Sequence, residues 1–221
     1  MCLSMISTLS PILIETSNLL NEGSTDTSSK RISFGNRAIR RVLKVRRWNW
    51  ARLSHTLTVV DDTQEYDLSS EISDYNPNWG IYEVYMDDEK MTPIDYNQKE
   101  NTTSDHFYLK PDGKTIGFTN DIDGDEDIEI WHYPRWVNVS ADDTTFNLSI
   151  PEDMLGAICL LMKAMVHGAK RQRYDERNAL VDYKEEIEEL VLQDASNKIK
   201  DLPQNVPTIF TYNKFNRTYS Y

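Results

Sequence analysis

Residues able to do chemistry are few and scattered in this 221-residue sequence. The most suggestive run is Asp121-Ile122-Asp123-Gly124-Asp125-Glu126-Asp127, whose spaced carboxylates look at first like a calcium loop. An EF-hand loop needs oxygen ligands at positions 1, 3 and 5 and glycine at 6, so that the chain wraps one cation. Here the glycine follows the second aspartate, so the register fails and a solvated acidic hairpin tip is expected instead. The four histidines, His55, His106, His132 and His167, fall in unrelated stretches without ligand spacing, and Cys2 and Cys159 stand alone. No nucleophile elbow, phosphate-cradling glycine loop or HExxH pattern is present. We therefore expect no catalytic residue, no metal site and no cofactor.

Two other features point to binding. From Lys30 to Arg52 there are nine basic residues and no acidic one, in a chain whose net charge is −12. At helical phasing, Arg37, Arg40, Arg41, Lys44 and Arg47 gather on one side, opposite Ile32, Ala38, Ile39, Val42 and Leu43. Such a stripe suits phosphates. It equally suits acidic surface such as Asp182, Glu185, Glu186, Glu188 and Glu189, in the same subunit or the next, and pairing is the reading we favour over DNA contact. The second feature is Thr208–Tyr221, which has no acidic residue but carries Phe210, Tyr212, Phe215, Tyr219 and Tyr221 beside Lys214 and Arg217. A disordered tail usually lacks aromatics, so this one is expected to dock onto another surface.

The elements that position these residues follow from periodicity. Ser10–Asn21 reads as a short helix closed by Gly23, and the helical pattern resumes after a polar loop and runs to Arg52. From Thr56 to Ser149 the period changes to two, giving five to seven short strands, antiparallel because the connections are short. Pro111-Asp112-Gly113 marks a hairpin between His106–Leu109 and Thr115–Thr119. Ser149-Ile150-Pro151-Glu152 then has the form of a capping box with an early proline. Two apolar stripes follow, Met154 to Ala169 and Ala179 to Val191, which we read as a helical hairpin broken near Tyr174. Their phase also permits one continuous helix. Trp79, Trp131 and Trp136 are expected to fill a small β core, although exposed they would suit a sugar.

Composition limits the rest. With 24 basic and 36 acidic residues the chain as a whole is a poor generic partner for nucleic acid. Two cysteines exclude a disulfide framework. The apolar N-terminal run lacks the basic and small-residue flanks of a signal peptide, and no stretch approaches the ~20 apolar residues of a membrane span. No membrane partner is expected, and a reducing compartment is the simple reading.

The order of features resembles the head–tail connector (adaptor, head-completion) proteins of tailed bacteriophages. Trp48-Asn49-Trp50-Ala51-Arg52 closes a helix and Tyr66-Asp67-Leu68 follows a strand and turn. Phe107-Tyr108-Leu109 precedes the Pro-Asp-Gly turn, and Ile128-Glu129-Ile130-Trp131-His132-Tyr133-Pro134 and Asp142-Asp143 come later. Ile150-Pro151-Glu152 then opens an apolar helix and a charged one. The resemblance covers residues 10–195 and rests on loosely spaced aromatics and prolines in order. It implies a homo-oligomeric ring, commonly a dodecamer, under the portal protein, with a stopper, tail tube or tail-fibre hub below and DNA passing through the centre. It also implies a C-terminal arm reaching the portal or a neighbouring subunit, which here would use Phe210, Tyr212, Phe215, Arg217, Tyr219 and Tyr221.

The expected fold class is thus α+β: a helical bundle or hairpin core, an inserted antiparallel β domain and an extended arm. Residues 1–55 and 150–197 supply the helical core, 56–149 the insertion and 198–221 the arm. The expected function is that of a structural virion protein, in the portal vertex or neck of the virion and in the host cytoplasm during assembly. In it Arg37, Arg40, Arg41, Lys44 and Arg47 pair between subunits or line the DNA channel. Two rivals remain: a nucleic-acid-binding protein using the helix 30–52, and a carbohydrate- or receptor-binding module on the β region.

Overall fold

The computed structural model describes residues 5–60, 63–101, 106–119 and 127–200. Its helices are α1 (Ser10–Leu19), α2 (Ser29–Leu43), the single turn α3 (Leu68–Glu71), α4 (Leu155–Ala169) and α5 (Arg173–Lys200). The apolar α4 lies at the centre and packs against α1, α2 and α5. Its Ile158, Leu161 and Met162 meet Ile12, Leu13, Ile39, Val42, Ile187 and Leu190 in one buried cluster. A helix apolar around most of its circumference has to be covered on several sides, and that requirement brings the two ends of the sequence together.

Local chemistry sets the helix ends. Ser28 caps α2, its Oγ accepting from the Arg31 amide at 3.3 Å. Asn21, at φ 52°, closes α1, a role expected of Gly23. The break between α4 and α5 falls at Arg171, a little before Tyr174, and settles the hairpin against one long helix. Arg171 adopts φ 61°, and the amides of Arg171 and Gln172 donate to the carbonyls of Gly168 and His167 at 3.1 and 2.9 Å. This is a Schellman ending without its usual glycine. The expected capping box at Ser149 does not form. Ile150–Pro151 (β10) is extended and pairs with Met5–Ile6 (β1), and a 3₁₀ turn at Glu152–Met154 leads into α4.

Two four-stranded sheets build the β region. Their strands are β2 (Leu53–Leu57), β3 (Glu65–Asp67), β4 (Ile81–Met86), β5 (Glu89–Lys90), β6 (Thr92–Ile94), β7 (His106–Leu109), β8 (Thr115–Phe118) and β9 (Ile128–His132). The orders are β2-β9-β4-β5 and β3-β8-β7-β6. The anticipated hairpin joins β7 to β8, with Gly113 at φ 67°. One pair, β6 with β7, is parallel, against the expectation of antiparallel pairing throughout. The connection between them contains a 3₁₀ turn at Tyr96–Asn101 and is long enough to carry the chain back.

The β strands enclose a second apolar cluster around Leu57, Val84, Phe107, Ile116, Phe118 and Ile130. The fold is α+β. Residues 134–149, read from sequence with the β region, send Trp136, Val139, Phe146 and Leu148 into the helical cluster instead.

Candidate partner-binding surfaces

The exposed side of α2 carries Arg37, Arg40, Arg41 and Lys44 at spacings of three and four, one continuous face. Arg40 donates to Asn138 Oδ1 at 3.0 Å. Arg41 lies close enough to Tyr183 to favour its phenolate, although burial, the larger effect, pushes that hydroxyl's pKa up. Among the described residues, none of these four cations forms an ion pair with a carboxylate.

The other basic residues of this stretch are engaged within the chain. Arg31, 5% exposed, holds Glu22 through Nη2 at 2.7 Å and Asp26 through Nε at 3.2 Å, pinning the loop before α2. Hydrogen bonds from Ser28, then the Arg31 charge, hold the Asp26 carboxyl below its usual range. Arg46 reaches the Val191 carbonyl at 2.8 Å and lies 3.1 Å from Asp194 Oδ2, an ion pair without a well-directed hydrogen bond. Helical phasing beyond Leu43 does not apply, because α2 ends there. Trp48 turns into the core and donates to the Val42 carbonyl at 2.9 Å. Arg47 consequently leaves the helical stripe and stacks over Tyr133, 5.9 Å from its ring centre.

Beside the C-terminal end of the basic face opens a cleft of about 140 Å³. Trp79, Tyr133 and Trp136 line it, and Arg40, Lys44 and Arg135 bring three cations to it. Arg135 and this cleft were not legible in the sequence, because they come together only when residues 134–136 turn back from β9 onto α2. The cleft can receive an apolar or aromatic group with acidic neighbours. Trp136 is only 7% exposed and packs edge-on against Phe146, whereas Trp79 meets Tyr133. These tryptophans therefore form a shared wall between the helical and β parts, and no flat aromatic platform for a sugar.

Buried polar groups fasten this wall. The Asn36 side chain, 4% exposed, donates to the carbonyls of Ile32 and Val139 and accepts from Trp136 Nε1 and the Val139 amide. His132, 2% exposed, lies 3.1 Å from the Leu53 carbonyl and 3.3 Å from Asp74, which also accepts from Asn147. Burial pushes the His132 pKa down; Asp74 opposes this and His55 adds to it.

Titratable groups are otherwise dispersed. Burial pushes the Cys159 thiol up to about 12, far from a thiolate nucleophile. Among the described residues no three His, Cys, Asp or Glu side chains are grouped to hold a metal. No helix among them is long and apolar enough to cross a membrane. The acidic run 121–126 and the arm residues Phe210, Tyr212, Phe215, Arg217, Tyr219 and Tyr221 lie outside the described residues. A family model described as "SU10 adaptor protein" matches residues 7–206 of the chain. No curated protein matches it.

Proposed function

Because the chain belongs to the SU10 adaptor protein family, a family of phage head–tail adaptors, we propose that it forms a ring beneath the portal, joining capsid to tail. The observation that carries this reading is the uncompensated cationic face of Arg37, Arg40, Arg41 and Lys44 on a chain of net charge −12. In a head-to-tail ring unlike patches of successive copies meet, so each subunit must display both. A dodecamer is the stoichiometry that the resemblance implies. The ring surrounds the DNA channel and works as a scaffold without catalysis or cofactor, in the virion neck, after assembly in the host cytoplasm.

The portal is the upstream partner, and a stopper, tail tube or tail-fibre hub the downstream one. Because α5 runs to Lys200, three residues past the bound read from sequence, residues 201–221 serve as the arm, and the aromatic content of 208–221 supports docking on the portal or a neighbouring subunit. The helical parts 1–55 and 150–197, with residues 134–149 packed into them, form the frame, and the remaining β part of the insertion, 56–133, faces a further component. Replacing Arg37, Arg40, Arg41 and Lys44 together by Gln tests the reading. Impaired ring assembly is expected. Normal assembly with altered DNA retention or ejection would assign these residues to the channel wall instead.

A further inference from the structure

Helix α5 has a second face that its own fold leaves uncovered. Its inward side, with Ala179, Ile187 and Leu190, packs on the helical core. On the outward side, Tyr174, Val181 and Leu192 are 77%, 47% and 60% exposed. Spacings of seven and eleven residues put all three on one line within about 20° of each other, roughly 27 Å long. Only eight large apolar side chains of the described residues are exposed, and three of them make this line. Glu185, Glu188 and Glu189 flank it, and among the described residues none forms an ion pair.

We propose that this outer face of α5 docks on the basic face of α2, and on the adjoining cleft, of a second copy of this chain. The proposal rests on the ring reading and names the two surfaces that meet. Charge complementarity selects the occupant. The acidic face requires a cationic receiver, and among the described residues Arg37, Arg40, Arg41 and Lys44 have no acidic partner in their own chain. The apolar line requires an apolar receiver next to those cations, and the cleft walled by Trp79, Tyr133 and Trp136 supplies one. The two surfaces are different, so each copy offers one and accepts the other, which is the condition for a contact that propagates around a ring. DNA contact would use the α2 cations but would leave the apolar line and glutamates of α5 unexplained.

Exchange of charge tests this. One full-length variant carries Arg37→Glu, Arg40→Glu and Lys44→Glu; the other carries Glu185→Lys, Glu188→Lys and Glu189→Lys. Of the six positions, Arg40 donates one hydrogen bond, to Asn138, and Glu189 accepts a long one from Gln193 at 3.4 Å; the other four make none among the described residues, so thermal melts should stay close to wild type. Native mass spectrometry, of each protein alone and with the portal, should show loss of the wild-type oligomer in either variant. An equimolar mixture should recover it, because every contact then joins opposite charges again. As a second measurement, carbodiimide cross-linking of a ¹⁴N/¹⁵N-mixed wild-type sample should join Lys44 to α5 carboxylates between copies. Variants that assemble like wild type, or a mixture that fails to recover, would overturn the proposal while leaving the ring intact with other surfaces. A wild-type chain that is monomeric both alone and with the portal would overturn the ring reading itself, and the proposal with it.

Discussion

Replacing Asn36 by Ala should loosen the wall that carries the cleft. The Asn36 amide satisfies Trp136 Nε1 at 3.1 Å, the Val139 amide at 3.0 Å and the Val139 carbonyl at 2.9 Å. Its fourth contact, to the Ile32 carbonyl, is dispensable, since that oxygen keeps its helical bond. Each buried polar group left without a partner costs about 1–3 kcal/mol. Val137, Asn138 and Ser140 are exposed, so water can reach part of the Val139 backbone and reduce the total. A loss of roughly 2–4 kcal/mol is expected. In a urea titration followed by circular dichroism the midpoint should fall with the slope unchanged. Hydrogen exchange at the Val139 amide should accelerate. Asn36→Asp should not rescue, because a carboxylate would face two carbonyl oxygens. A loss below about 1 kcal/mol, or unchanged protection at Val139, would refute the idea that this side chain fastens residues 136–139 to α2.

Gly117→Ala should destabilise by about 1–3 kcal/mol in thermal melts, because a Cβ there would overlap the ring of Tyr108 on the paired strand; an unchanged melt would contradict that packing. Arg171→Gly should stabilise by about 0.5–1 kcal/mol, since only glycine adopts φ 61° without cost, and Arg171→Ala should not. His132 takes up a proton less readily folded than unfolded, so stability should decline as pH falls through about 6.5. His132→Gln should flatten that decline between pH 7 and 5, and an unaltered slope would refute the assignment. Deleting residues 208–221 should leave the melt of the remaining chain unchanged and abolish attachment to the portal; a truncated chain that still completes infectious particles would sink the arm hypothesis.

What could be read from the sequence was what local chemistry decides. The Pro111-Asp112-Gly113 hairpin and the inward stripe of α5 follow from residue type and spacing, and both occur. The face Arg37, Arg40, Arg41 and Lys44 was legible for the same reason. Arg47 was misplaced because no glycine or proline marks the end of α2 at Leu43, where the chain turns and the Trp48 indole, six residues beyond Val42, donates to its carbonyl. The turn at Arg171 lacked its glycine signal. Residues 134–149 were assigned to the β region with the period of two read from Thr56 to Ser149, whereas their side chains complete the helical core through Asn36, a contact more than a hundred residues away in sequence. The cleft with Arg135 depends on that same return and so was invisible beforehand.

A ring-forming adaptor at the portal vertex must be present in virions in a fixed ratio to the portal protein. Quantitative mass spectrometry of purified virions measures that ratio. One copy per portal subunit is expected. Absence from the particle, or a copy number well below that of the portal, would contradict it.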